Sequence, residues 1–312
     1  MATSTSIELA PPRTKRLSMR QREAIACALF IAPAVIGFIA FTIVPLGIAA
    51  VMSVMDQTIA AQPRFVGLAN YQAVMADGLF WQSISVTLRY AALIVPSWII
   101  SSLALALLLN QPIRGAALFR TIFYLPAVLS GIVVAMLFGW IFNARVGLLN
   151  SLLALIGIKG PNWLNDPNTA LFALVLVGLW GIGWYVPIWL GGLQSIPTEL
   201  FEAAELDGAG ALTRLRHITL PMLSPIILYN LVINIIWALQ LFTEPFVLTD
   251  GGPRFTTLSY VLYMYNNAFE YGKMGQALAQ AWLLFLATVL LAALVFRSTP
   301  MWVHYESQRE EN

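Results

Sequence analysis

The sequence is built from long apolar blocks almost free of charge, and a chain of this kind cannot solvate itself as a water-soluble globule. Of its 312 residues, 59% are hydrophobic and 10% charged, against about 25% charged in a soluble domain, whose surface must be hydrated. A hydrocarbon layer about 30 Å thick needs roughly 20 apolar residues per crossing helix, and stretches of that length recur along the whole chain. The chain therefore reads as an all-α integral membrane protein with lipid as its solvent.

Six transmembrane helices are predicted, over 24–54, 87–109, 119–142, 168–191, 219–243 and 275–297. Turn formers separate them at Gln62-Pro63, Asn110-Gln111-Pro112, Lys159-Gly160-Pro161 and Gly251-Gly252-Pro253. The organisation is then a tail at 1–23, a membrane domain at 24–297 containing a loop at 192–218, and a tail at 298–312. The first apolar run, from Ala24 to Met55, is longer than a secretory signal core, so it reads as a retained span. Basic residues favour the cytoplasmic side of a membrane. With the N-terminus inside, Arg13, Lys15, Arg16, Arg20, Arg22, Arg114, Arg120, Arg214, Arg216, Arg297 and Arg309 fall inside. Arg64, Arg89, Arg145, Lys159, Arg254 and Lys273 fall outside, which leaves eleven of the 17 basic residues cytoplasmic. Both termini are then cytoplasmic. The outer loops carry Tyr71, Phe80, Trp81, Trp163, Tyr265 and Tyr271, as expected near a lipid–water boundary.

Prolines 33, 45, 96, 126, 187 and 225 lie inside the apolar blocks, where each removes a backbone donor. They are compatible with kinked packing and with hinges. Several function classes are excluded or disfavoured. The lone Cys27 rules out an intrachain disulfide, and the two histidines, His217 and His304, have no metal-ligand spacing. No convergent set of acids, bases or ligands suggests an enzyme. Basic residues flank apolar blocks instead of sharing one face, which gives no support to nucleic-acid binding. By these boundaries no Asp, Glu, Lys or Arg lies deep in a span, whereas an ion-coupled carrier keeps such groups in its bundle.

The loop from Ser195 to Pro221 carries the most information. Thr198 is placed to cap a short helix with Glu199 in its first turn, and Gly208 and Gly210 break it. A short amphipathic helix of this kind could simply lie on a membrane surface. Its spacing, however, is distinctive: Glu202-Ala203-Ala204, three residues, Gly208, nine residues, Ile218, one residue, Leu220-Pro221. This resembles the signature loop of permeases from binding-protein-dependent ABC importers. The stretch from Leu248 to Pro253 is similar to the maltose and glycerol-3-phosphate type of permease, and the resemblance runs from the first crossing to the last. The loops are too short for the large extra external domain of the maltose member.

The resemblance implies a type I ABC importer permease fold in the bacterial plasma (inner) membrane, with Glu202, Ala203, Ala204, Asp207 and Gly208 docking into a separate ATPase. It also implies a second homologous permease subunit, an ATPase dimer that binds ATP and Mg, and an extracytoplasmic substrate-binding protein. This chain would hold no cofactor of its own, and it has no Gly-x-x-x-x-Gly-Lys-Ser/Thr phosphate loop. The implied function is import of a carbohydrate. An ATP-independent secondary carrier, and an importer for a glycerophosphate or polyol, are the alternatives.

In the fifth block Asn230, Asn234, Trp237 and Leu241 are spaced to share a helix face. Carboxamides beside an indole suit a polyhydroxylated ligand, although Asn also glues membrane helices together. The fourth block offers Trp180, Gly181, Trp184 and Tyr185, which could equally be packing. Gln276 and Gln280 form a similar i, i+4 pair in the sixth. Aligned through the signature loop, the sugar-contacting positions of the maltose-type permease fall on Trp180, Gly181, Trp184, Asn234, Trp237, Ala238 and Leu241. The inferred orientation is testable: with Cys27 replaced and Glu205→Cys introduced, a membrane-impermeant thiol reagent should label the protein only after cells are permeabilised. Labelling in intact cells contradicts it.

Overall fold

The computed structural model describes residues 18–56, 64–111 and 115–303. Arg13, Lys15, Arg16, Arg114, His304 and Arg309, together with Gln62, Pro63 and Pro112, lie outside the described residues. The chain forms two compact units, Met1–Val51 and Met52–Asn312.

The first unit is helical. Ser18 Oγ accepts from the N–H of Gln21, whose side chain in turn accepts from the N–H of Ser18 at 2.9 Å. This reciprocal cap fixes the helix start. The first span then runs Met19–Ser53, with a π-turn at Ile39–Ile43. It begins five residues before the expected boundary, so Arg20 and Arg22 belong to the helix and not to a tail. None of its residues from Met19 to Ile43 is buried.

In the second unit, a two-residue hairpin pairs Met55–Asp56 with Arg64–Phe65, and a helix follows at Ala69–Ala76. Asn70 Nδ2 donates to the carbonyls of Ser53 and Met55, both at 2.8 Å, and so ties this helix to the hairpin. The second span, Gly78–Leu109, starts nine residues before the predicted 87. Asp77 caps it by accepting from the Leu79 N–H at 2.9 Å. A polar-looking Trp81-Gln82-Ser83 stretch hides this start from a hydropathy reading. Phe80, expected at the lipid boundary, is instead buried against Tyr260.

The third block does not form one straight span. It consists of two helices, Ala117–Val128 and Gly131–Ile141, that meet at 96°. Pro126 sits in a 3₁₀ turn over Leu125–Val128, and Leu129 and Ser130 are extended, which breaks the α-ladder. The fourth span, Ala170–Ser195, is continuous but becomes a 3₁₀ helix over Leu179–Tyr185. The fifth, Ser224–Leu248, is interrupted after Leu239 and resumes at Thr243. The sixth is Met274–Met301.

The segment between the fifth and sixth spans also departs from the expected surface loop. The helix Tyr260–Tyr265 is drawn inward. Ser259 Oγ donates to the Leu241 carbonyl at 2.6 Å, the Tyr260 N–H to Thr87 Oγ1 at 2.8 Å, and the Tyr260 hydroxyl to the Gln280 carbonyl at 2.8 Å. Gln280 is therefore a core residue. The Tyr263 hydroxyl donates to the carboxylate of Asp77, and burial is the main reason its phenol is pushed up to about 12.

The principal core joins the second and fourth spans to the start of the fifth through Leu105, Leu109, Trp189, Leu193 and Leu223. Its polar atoms are paired across helices: Trp189 Nε1 donates to Ser102 Oγ, and Trp98 Nε1 to the Gly178 carbonyl, both at 2.8 Å. The fourth span meets the first arm of the bent pair at Gly183, where an added Cβ would stand 1.9 Å from the Phe123 carbonyl oxygen. Gly183→Val should thus lower the detergent-solubilised thermal midpoint, by at least the ~1–3 kcal/mol typical of overpacking. Gly181→Ala, whose Cβ meets nothing within 4 Å, should leave it unchanged. Equal midpoints for both variants would refute the close approach.

Candidate functional site

Two regions carry the sequence-predicted residues. The first is the loop helix Thr198–Leu206. Its N-cap is Pro197, in extended conformation, and Thr198 is the first helical residue and makes no side-chain cap bond. The expected Thr198 cap is therefore corrected by one position: the fixed φ of proline suits the entry to a helix. At the other end Asp207 is the C-cap, and Gly208 adopts φ +77°. The Gly208 N–H donates to the Glu205 carbonyl at 3.0 Å and the Ala209 N–H to the Ala204 carbonyl at 2.8 Å. These are the two bonds of a Schellman termination, which requires a left-handed residue at this point and so favours glycine.

The loop is anchored on one side and bare on the other. Phe201, Ile218 and Met222 pack against the principal core. Glu202, Ala203, Asp207 and Gly208 are exposed, and Ala204 is half-buried. Leu206 is 90% exposed in the same turn. Arg214 pairs with Glu205 at 3.4 Å, which leaves the Glu202 carboxylate without an ion pair among the described residues. The arrangement is a rigidly terminated helix presenting small and apolar side chains beside the exposed acids Glu199, Glu202 and Asp207.

The second region is a cavity of about 420 Å³. Its wall includes Trp98, Trp180, Gly181, Trp184, Tyr185 and Trp237, and the break of the third span contributes Pro126, Ala127 and Leu129. Because Leu179–Tyr185 is a 3₁₀ helix, Trp180 and Trp184 do not share a face as a 3.6-residue repeat would place them. Four residues at three per turn set them about 120° apart, and each is braced by a different arm of the bent pair. Trp180 meets Phe138 edge-on at 5.5 Å between ring centroids, and Trp184 stacks on Tyr124 at 6.2 Å. Trp180, Trp184 and Trp237 are 37%, 56% and 62% exposed, so their indole faces are open to the cavity.

The structure separates the predicted residues of the fifth span. Trp237 reaches the cavity, whereas Asn230, Asn234, Ala238 and Leu241 are buried and absent from its wall. Ala238 and Leu241 pack with Tyr90, Ile94 and Leu174. Asn230 Nδ2 donates to the Ile226 carbonyl at 2.9 Å within its own helix. Asn234 is 1% exposed, and among the described residues neither its Oδ1 nor its Nδ2 has a hydrogen-bond partner. An amide buried in this way costs about 1–3 kcal/mol.

Sequence reasoning missed one wall residue of consequence. Glu244 lines the cavity and lies within the fifth span as the structure defines it. It stands near the Leu248 end of that span, not deep within it. The predicted boundary ended at 243, one residue short, and placed this acid in a loop. Arg89 lies well inside the second span, exposed, with Nη2 donating to Ser85 Oγ at 2.7 Å.

Comparison with known proteins places this architecture. Residues 97–301 match the family described as "Binding-protein-dependent transport system inner membrane component". "Probable ABC transporter permease protein YesP" of Bacillus subtilis (strain 168) is 37% identical, over 93% of this chain and 95% of that one. The trehalose/maltose transport system permease protein MalF of Thermococcus litoralis is 34% identical, over 84% of this chain and 90% of that one. Among solved structures, a chain of a bacterial ABC transporter involved in the import of the acidic polysaccharide alginate superposes with a TM-score of 0.78. It covers 90% of this chain and 96% of that one at 22% identity, a likeness of fold. The chain thus belongs to the binding-protein-dependent transport system inner membrane component family, as a membrane-spanning permease.

Proposed function

We propose that this permease conducts a carbohydrate, delivered by an extracytoplasmic binding protein, through the indole-lined cavity of an ATP-driven importer. The observation that carries the reading is that cavity: open faces of Trp180, Trp184 and Trp237 around 420 Å³. Indole faces pack against the apolar face of a sugar ring, with a contact worth about 1 kcal/mol beyond area burial. Sugar-transport permeases among the relatives support the substrate class, including an arabinooligosaccharide permease of Bacillus subtilis (strain 168) 34% identical over 86% of this chain. Among the described residues no Lys or Arg lines the cavity, which weighs against a glycerophosphate, whose phosphate would require a cation. Family membership weighs against an ATP-independent carrier.

Energy enters through the loop helix in this reading. Its exposed Glu202, Ala203, Asp207 and Gly208 face, with half-buried Ala204 beside them, docks into a cleft of an ATPase subunit. There, small side chains allow close approach and Glu202 meets a cation. An ATPase dimer binding ATP and Mg, a second homologous permease that completes the pathway, and surrounding lipid make up the assembly. Both termini and the loop lie on the cytoplasmic side of the inner membrane.

Two sets of variants test these assignments. Glu202→Lys and Gly208→Val should insert normally yet fail to co-purify with the ATPase and lose substrate-stimulated ATP hydrolysis. Valine in the left-handed region costs about 1–2 kcal/mol and undoes the helix end. Undiminished coupling in both variants would remove the loop from the mechanism. Trp184→Ala should lower reconstituted carbohydrate uptake about tenfold while sparing assembly, the scale of one lost aromatic contact. Asn234→Leu reports on a buried amide that reaches a ligand only if the fifth span moves; reduced uptake with intact assembly supports such movement, and full uptake assigns Asn234 to packing alone.

A further inference from the structure

The cavity wall is aromatic and aliphatic apart from one side chain able to carry a full charge. That side chain is Glu244, on the first turn of the helix Thr243–Leu248. Among the described residues the only ion pair is Arg214 with Glu205, and none of them supplies Glu244 with a salt-bridging cation. A carboxylate has about four lone-pair sites, which gives it acceptor capacity for whatever enters. Trp98 Nε1 is already committed to the Gly178 carbonyl, so it offers a ligand only its ring. An acid half-buried beside indoles is costly to maintain.

We propose that Glu244 is the specificity-determining residue of the cavity: its carboxylate anchors the hydroxyl groups of an uncharged saccharide stacked on the tryptophans and discriminates against saccharides bearing carboxylate or sulfonate groups. This rests on the carbohydrate reading above and narrows it. Hydroxyl-to-carboxylate hydrogen bonds are among the stronger polar contacts available to a sugar. A second anion brought within a few ångströms of Glu244 meets a low-dielectric wall with no compensating cation, which multiplies the repulsion over its value in water. The related permease SmoG of Agrobacterium fabrum (strain C58 / ATCC 33970) belongs to a sulfoquinovosyl glycerol transport system and is 34% identical over 75% of this chain. Members of the family thus serve different glycosides, and the charge of the wall is one means of separating them.

The test uses the full transporter complex purified in detergent, with quenching of indole fluorescence reporting entry into the cavity. The probes are three neutral trisaccharides, maltotriose, arabinotriose and raffinose, and one acidic trisaccharide, trigalacturonate. The wild-type complex should bind at least one neutral probe and bind trigalacturonate at least about tenfold more weakly, a modest share of a like-charge penalty at this range. Glu244→Gln should narrow that gap to within about threefold, and Glu244→Arg should reverse the order. Glu244→Asp should keep the discrimination while weakening the neutral probe, and it serves as the decisive variant if the others fail to assemble. A gap unchanged in Glu244→Gln and Glu244→Arg, or one lost in Glu244→Asp, overturns the assignment of Glu244 alone. Failure of the wild-type complex to bind any neutral probe overturns the carbohydrate reading and this inference with it.

Discussion

Inside a bilayer, a backbone that leaves the α-helix must have its polar groups satisfied by protein or by a water-filled cavity. Two irregular stretches of this permease lie against one another beside the cavity. The 3₁₀ turn and extended residues at Leu125–Ser130 break the third span, and the 3₁₀ segment Leu179–Tyr185 loosens the fourth. They meet where Gly183 lets the two backbones touch, and the cavity opens beside them. A straight third helix would remove the Pro126–Leu129 wall, and an α-helical fourth span would turn Trp180 and Trp184 toward one side. The site therefore depends on both departures together.

The frame that holds these segments is polar where it is deepest. Trp98 and Trp189 donate across the junction of the second and fourth spans, and the segment after the fifth span is stitched inward through Ser259, Tyr260 and Gln280. Without a strong hydrophobic driving force between helices in lipid, such bonds and close packing carry the association. Asn234 stands outside this pattern, with both amide atoms buried and unpaired. A group in that condition is stable only if the surrounding structure over-determines it or if another arrangement of the helices satisfies it.

The loop helix links this frame to the outside. Phe201 and Ile218 fasten it to the same core as Trp189, while its opposite face stays bare. That core includes residues of the fourth span and of the start of the fifth, the two spans that carry Trp180, Trp184 and Trp237. The left-handed Gly208 ends the helix abruptly, so the chain can turn back to Leu220-Pro221 within a short stretch.

The amino-acid pattern alone determined the solvent of this protein, the number of apolar blocks, and the loop whose spacing identifies its family. Each of these is a local property: hydropathy over about 20 residues, or fixed residues at short intervals. The tryptophans were legible as candidates for the same reason. Tertiary structure decided which of them open onto a cavity, since burial depends on what a neighbouring helix covers. It buried Asn230, Asn234, Ala238 and Leu241 while leaving Trp237 free, although all five lie in one span. It bent the third block by 96°, which a proline permits but does not dictate. It also placed Glu244 in the cavity wall, because the fifth helix breaks at Gln240 and resumes at Thr243, and a break of that kind depends on packing from elsewhere in the chain and not on the residues beside it.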